Sequence, residues 1–280
     1  MKKAIAIILT LVLVLGCVAG CSSKPVERSG KWVCNAIEGV EESQYVVCVS
    51  KNIPDGQELL TEINKVIDSL DVDDVLKQYM SYGDRRNTIG ITLRDLFLTI
   101  NELRDKEGDD PIIIYSQVLD PFDFSGAAGA FADGIDMLIS EQAAVNLGRS
   151  AVLYERTYSY GYEQVKAGKG DIFATGVVLT EQVKNDFLVS KVYTTGKQQI
   201  VSDKNEAYTK LSQLKGKVIG VITGRTSEII VNKELAGSAE IVAFETDTEA
   251  KTALYNQRVD VLVVDEMPAK LLVDRLNNGK

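Results

Sequence analysis

The residues best placed to do chemistry lie between 215 and 230, in the run KGKVIGVITGRTSEII. Its β-branched stretch, 218–222, reads as a buried strand. Thr223, Gly224, Arg225 and Thr226 then make a sharp turn. Thr226 or Ser227 can cap a helix whose first turn carries Glu228. A strand that ends in a glycine turn and opens a helix leaves backbone N–H groups without partners. Such an end holds anions, here the carboxylate of a small molecule. The plainer reading is an ordinary βα turn. Arg225 is either a cation for that carboxylate or a solvated turn residue. Asp265 ends a second apolar strand, and a carboxylate buried there needs a cation or hydrogen-bond donors. Its other reading is the N-cap of the last helix.

The 280-residue chain contains no histidine. That removes the commonest general base and metal ligand, and with them any Ser-His-Asp or Cys-His engine. No acid and base pair at a readable spacing, so no catalytic residue, metal or cofactor is expected. The formal charge of −9 argues against nucleic acid or an anionic membrane surface as a partner. A hydrophobic fraction of 45% and a charged fraction of 25% describe an ordinary globular protein, long enough for one large domain or two lobes.

Lys2 and Lys3, the apolar run 4–15 and the small residues after it read as a secretory signal over 1–20. Val18-Ala19-Gly20-Cys21 resembles the bacterial lipobox. That resemblance implies cleavage before Cys21, acylation of its thiol and attachment to the extracytoplasmic face of the cell membrane, with 21–30 as a polar tether. Leu15-Gly16-Cys17 is a poorer second candidate, and an uncleaved membrane anchor is the alternative. Of the remaining cysteines, an exported protein permits a disulfide between Cys34 and Cys48. Two free thiols packed on strands are the reading preferred here.

These groups need elements to position them. Residues 31–37 and 45–50 read as strands. Residues 58–70 form an amphipathic helix with Leu59, Leu60, Ile63, Val66, Ile67 and Leu70 on one stripe. Helices follow at 72–80 and 92–105. After Pro111 strands and helices alternate: strands at 112–116, 151–154, 171–174, 198–201, 218–222, 240–243 and 259–264, and helices at 134–147, 162–166, 207–214, 247–255 and 268–276. This order predicts parallel βαβ units.

From 112 to 276 the chain resembles the family-3 extracellular solute-binding proteins, the amino-acid type that feeds ABC importers. The family's PPFEF-like loop and GFDVDL-like helix are similar to Asp120-Pro121-Phe122-Asp123-Phe124 and Gly134-Ile135-Asp136-Met137-Leu138. Its ALQSGKVDVIIAGMTIT-like stretch is similar to residues 164–180, its LKGKxVGVxxGTTSE to 214–228 and its GRVDAVVVD to 257–265. The closing part of the family pattern, an EEYGIAVRKG-like strand and two helices, resembles residues 42–51 and 59–80 instead. The resemblance therefore implies an α/β fold of the periplasmic-binding-protein type II in circularly permuted order. Lobe 1 would be 45–197 and lobe 2 would be 31–44 plus 198–280, with two hinge crossings near 44–47 and 193–199.

Residue by residue, the resemblance implies ligand-binding roles for four positions. Tyr158 would pack an aromatic ring on the ligand, or else be a surface residue. Gly176 would turn its backbone to the ligand, or else be a plain turn. Thr226 would offer an N–H and a hydroxyl, and Asp265 would take an α-ammonium. Two positions depart from the family: Val178 stands where a Thr is usual and Val183 where an Arg grips the ligand carboxylate. Arg225, beside Thr226, would supply the cation from the other lobe, with Lys184 as a second source. The implied function is capture of a small polar ligand, an amino acid or related compound, by a lipid-anchored monomer that delivers it to an ABC permease. The competing reading is a sensor or interaction protein that kept the fold with a degenerate site. An enzymatic reading with Asp265 as an acid has little to support it.

Overall fold

The computed structural model describes residues 29–82, 110–124 and 133–278. The signal segment, Cys21 and the expected helix at 92–105 lie outside the described residues. β1 (Trp32–Ala36) and β2 (Ser43–Ser50) are neighbours in sequence but belong to different sheets. In β2 Tyr45, Val47 and Val49 face one side and Val46 and Cys48 the other, and all five are fully buried. A strand buried on both faces belongs inside a sheet.

Helices α1 (Gly56–Ser69) and α2 (Val72–Tyr82) follow. The buried side of α1 carries Leu59, Leu60, Ile63, Val66 and Ile67, the stripe that its periodicity predicts. Then come β3 (Ile112–Ser116), α3 (Ile135–Asn146), β4 (Ala151–Glu155), α4 (Tyr158–Lys166), β5 (Ile172–Val178), α5 (Glu181–Asp186), β6 (Phe187–Val189) and β7 (Thr194–Gly196). The first sheet is ordered β4-β3-β5-β2-β6, with β7 also on β2. β3 runs parallel to β4 and β5, while β2 is antiparallel to its neighbours. One face packs on α1, α2 and α3, and the other on α4 through Tyr158, Tyr162 and Val165.

The second sheet uses β8 (Gln199–Asp203), β9 (Val218–Ile222), β10 (Glu240–Phe244) and β11 (Val261–Val264), in the order β1-β8-β11-β9-β10. β1 and β11 are antiparallel to β8, and β9 is parallel to both β10 and β11. Helix α6 (Thr226–Leu235) covers one face, while α7 (Asp247–Tyr255) and α8 (Glu266–Asn278) cover the other. Among the described residues the chain passes between the sheets twice, at 37–42 and at 197–198. No helix among them is long and apolar enough to cross a membrane.

Two expectations need correction. Residues 207–214 are not an α-helix: Leu211–Leu214 is one 3-10 turn. The Gln213 side-chain oxygen accepts from the Thr209 and Lys210 N–H groups at 2.9 Å, which satisfies them without helical carbonyls. Helix α4 starts at Tyr158 rather than at 162, so Tyr158 and Tyr162 lie buried on it. Of the two readings of Cys34 and Cys48 the preferred one holds: Cys34 sits in β1 and Cys48 in β2, on different sheets, and both are free thiols. Burial pushes both thiol pKa values up, which makes them poor nucleophiles.

A glycine and a buried acid fix the centre of the first unit. Gly176 interrupts β5 with φ of +62°. A Cβ there would lie 2.6 Å from the Phe122 ring. The Gly176 N–H donates to Asp136 Oδ2 at 2.6 Å. Burial pushes Asp136 up to about 7, against the pull of the Tyr193 hydroxyl, the Gly176 N–H and Arg225. Burial also pushes Asp123 up to about 8, with Ser116 opposing and Glu155, Asp136 and Asp120 adding to it.

Gly176→Ala is expected to lower the unfolding free energy by about 2–4 kcal/mol, the cost of a left-handed backbone plus overpacking against Phe122. Urea denaturation reads this, and an unchanged midpoint would contradict the packing described. These two acids, with Glu155 and Asp171 raised by burial in the same direction, also set a pH dependence. The folded chain keeps protons that the unfolded chain has released, so folding takes up protons and stability falls as pH rises. Their contribution is intact below the ordinary value of 3.8 and is lost as pH passes about 7 for Asp136 and about 8 for Asp123. Glu266 and Asp203, whose pKa values are lowered, change only at more acidic pH. With no histidine to titrate, the urea midpoint should be higher at about pH 5 than at about pH 9. Asp136→Asn should shrink that difference.

Candidate functional site

The strand ends and helix starts of the two sheets meet across a narrow cleft. β11 delivers Asp265, the β9–α6 turn delivers Gly224, Arg225 and Thr226, and α4 opens with Tyr158. The end of β3 leads into Gln117, and β5 carries Thr175. Parallel strands place loops and helix N-termini at this edge, the usual ligand position in open α/β sheets.

Asp265 is 3% exposed. Its Oδ1 accepts from the Tyr45 hydroxyl at 2.8 Å and from Gln198 Nε2 at 2.6 Å. The same Nε2 lies 3.1 Å from Ser43 Oγ. Tyr45 and Ser43 belong to β2 and Gln198 to the second crossing, so this carboxylate ties both sheets to the crossings between them. Burial first, and then Asp265, raises the Tyr45 pKa and keeps its hydroxyl a donor. Asp265 thus makes side-chain bonds across the cleft.

Arg225 is not a solvated turn residue. It is 3% exposed, and its guanidinium reaches across to the first unit. Nη1 donates to the Thr175 carbonyl at 2.7 Å, while Nη2 donates to Thr175 Oγ1 at 2.9 Å and to Gln117 Oε1 at 3.0 Å. The guanidinium carbon lies 4.8 Å from the Tyr158 ring centroid, a cation–π contact. The acceptors are themselves held: Thr175 Oγ1 donates to the Gln117 carbonyl at 2.6 Å, and Gln117 Nε2 donates to the Glu245 carbonyl at 2.6 Å. The Arg225 Nε–H is buried and has no partner among the described residues. Gly224 permits this packing, since with φ of +81° a Cβ there would lie 2.9 Å from Tyr158.

The anion nest expected at this turn is narrower than the sequence implies. The Gly224 N–H donates to Glu228 Oε2 at 2.7 Å and the Arg225 N–H to the Ile222 carbonyl at 3.2 Å. Thr226, half-buried, lines a cavity of about 270 Å³ together with Tyr158, Gly224, Val178 and Val183. A second opening of about 620 Å³ shares Thr226 and Val178 and runs past Glu42 and Ser43. The two valines that depart from the family pattern are therefore wall residues of the first cavity.

The structure brings Tyr158, Arg225 and Thr226 together, with Asp265 bonded across the same cleft. Gly176 is different, because its N–H is committed to Asp136 and its Cα faces Phe122. Sequence reasoning missed Tyr45, Gln117, Thr175 and Gln198. The available signal was a polar group in or beside an apolar strand, which needs a partner once buried.

No family model matches the chain. It is 24% identical over 151 residues to the histidine-binding periplasmic protein of Salmonella typhimurium, a match covering 53% of this chain and 58% of that one. The chain thus spans a little over half the length of the curated relatives it matches. Its structure matches an ancestral arginine-binding protein bound to arginine, with a TM-score of 0.56 and 27% identity over 59% of this chain and 74% of the other. It also matches the amino acid ABC transporter substrate-binding protein AbpA of Streptococcus pneumoniae bound to L-arginine, with a TM-score of 0.54 and 23% identity over 57% and 69% of the two chains. The chain is homologous to histidine-binding periplasmic proteins and has the fold of the amino-acid substrate-binding proteins of ABC transporters.

Proposed function

We propose that the protein is a solute-binding protein that captures a small polar ligand, an amino acid or related compound, between its two α/β units and delivers it to the permease of an ABC importer. The observation that carries this is the cavity of about 270 Å³ walled by Tyr158 from one unit and by Gly224 and Thr226 from the other. Both walls would move when the units separate, so closure and capture would be one event. The crossings at 37–42 and 197–198 would be the hinge, the first of them ahead of the 44–47 expected from the sequence, since β2 already begins at Ser43. The relatives' printed names, which specify histidine and arginine, support an amino-acid ligand.

The order of the elements is read as a circular permutation. Its support is β2, which completes the interior of the first sheet from the N-terminal side, while β1 edges the second. Cys21 would carry the lipid that holds the protein at the extracytoplasmic face of the membrane. One observation favours the second reading, a sensor with a degenerate site: Arg225 already fills part of the cleft, and Asp265 already has neutral donors.

Thermal-shift screening against amino acids, short peptides and related amines tests the solute-binding reading. A ligand at a hundred times its dissociation constant adds about 2.7 kcal/mol, a rise of several degrees in Tm. Tyr158→Ala should abolish that rise, and a flat response across the panel would favour the sensor. For the anchor, Cys21→Ser should stop incorporation of labelled palmitate and release the protein from the membrane fraction. Undiminished labelling would refute acylation at Cys21.

A further inference from the structure

We infer that Arg225 is a tethered occupant of a guanidinium subsite: its side chain fills the place in the cleft that the guanidinium of a free ligand's side chain would otherwise take, and so excludes ligands with such a side chain. The inference rests on reading the cleft as a ligand site and deepens it to a ligand class.

Four observations carry it. The guanidinium comes from the second unit, while its three acceptors and its aromatic face all come from the first. Those acceptors are neutral, being a carbonyl, a hydroxyl and a side-chain amide, so among the described residues no carboxylate binds Arg225 there as a structural ion pair would. They are preorganised without Arg225, because Thr175 Oγ1 is fixed on the Gln117 carbonyl and the Gln117 amide on Glu245. Finally, the neighbours of the group border open space: Arg225 does not itself line the cavity of about 270 Å³, but Tyr158, under the guanidinium, and Gly224, next to it in sequence, both do. Shortening the side chain would therefore leave a buried fork of acceptors over an aromatic face, which suits a planar cation and suits an ammonium less well. In the wild-type protein the free volume lies against Val178 and Val183, with Glu163 and Gln182 also at its wall, and it takes a ligand whose side chain carries no planar cation.

Arg225→Ser is the informative variant. Arg225 is the N-cap residue of α6, and serine at an N-cap favours the helix, so the turn survives the loss of the long side chain. Arg225→Ala serves as a second variant, and far-UV circular dichroism checks that both fold. Methylguanidinium and L-arginine are titrated at millimolar concentration into the wild-type protein and both variants, with thermal shift and calorimetry as readouts. The variants are expected to bind both compounds at least tenfold more tightly than the wild type, with n-propylamine giving no such gain. Equal affinity in wild type and variants would overturn the inference, as would folded variants that ignore both compounds. If the wild type answers nothing in the amino-acid panel while Arg225→Ser takes methylguanidinium, solute binding falls and the subsite stands. If the wild type binds an amino acid and the variants ignore methylguanidinium, the reverse holds.

Discussion

A guanidinium taken out of water must find acceptors or stay outside, and the position of Arg225 depends on that constraint. Its Nη atoms are satisfied by Thr175 and Gln117 and its face by Tyr158. Asp265 is the complementary case, a buried carboxylate satisfied by a tyrosine hydroxyl and an amide. The two opposite charges are each dressed by neutral dipoles of the facing unit or the crossing. Breaking either shell would leave a buried charge uncompensated, which costs several kcal/mol.

The apolar core is arranged differently. Among the described residues, each of the four clusters of buried apolar side chains is built on one sheet, two on the first and two on the second. Met267 of α8 is a partly buried side chain that packs against the cluster of the other unit. Each unit therefore draws its stability from its own burial of apolar surface. The spacing between the units is set by polar contacts such as Gln117 with Glu245 and Asp120 with Arg275. Such contacts exchange with water at small net cost, whereas a continuous apolar seam would not.

This division explains what was legible in the sequence. Leu59, Ile63 and Val66 on α1 and the continuous apolar run along β2 announce their elements because burial inside one unit imposes a local pattern. The turn at 223–226 is legible because a glycine there has a local cause. The partners of Arg225 are not, since Gln117 stands 108 residues away and is chosen by how two units meet. Gly176 was recognised as special, but which group its N–H meets depends on α3, 40 residues earlier. The 3-10 turn at 211–214 escaped because a single side chain, Gln213, outcompetes a helix that residues 207–214 would otherwise support.

The places of β1 and β2 have a consequence for how the molecule is made. Val33 of β1 pairs with Ser202, and Cys48 of β2 pairs with Phe173, so both strands leave the ribosome well before the residues that complete their ladders. Closing loops of that length costs chain entropy before any contact repays it, and folding slows as average contact separation grows. The first unit can close once β7 has emerged, while β1 waits unpaired for β8. β1 thus lacks its ladder partner until β8 is available, so the cleft can assemble only after every strand of the first unit has been made.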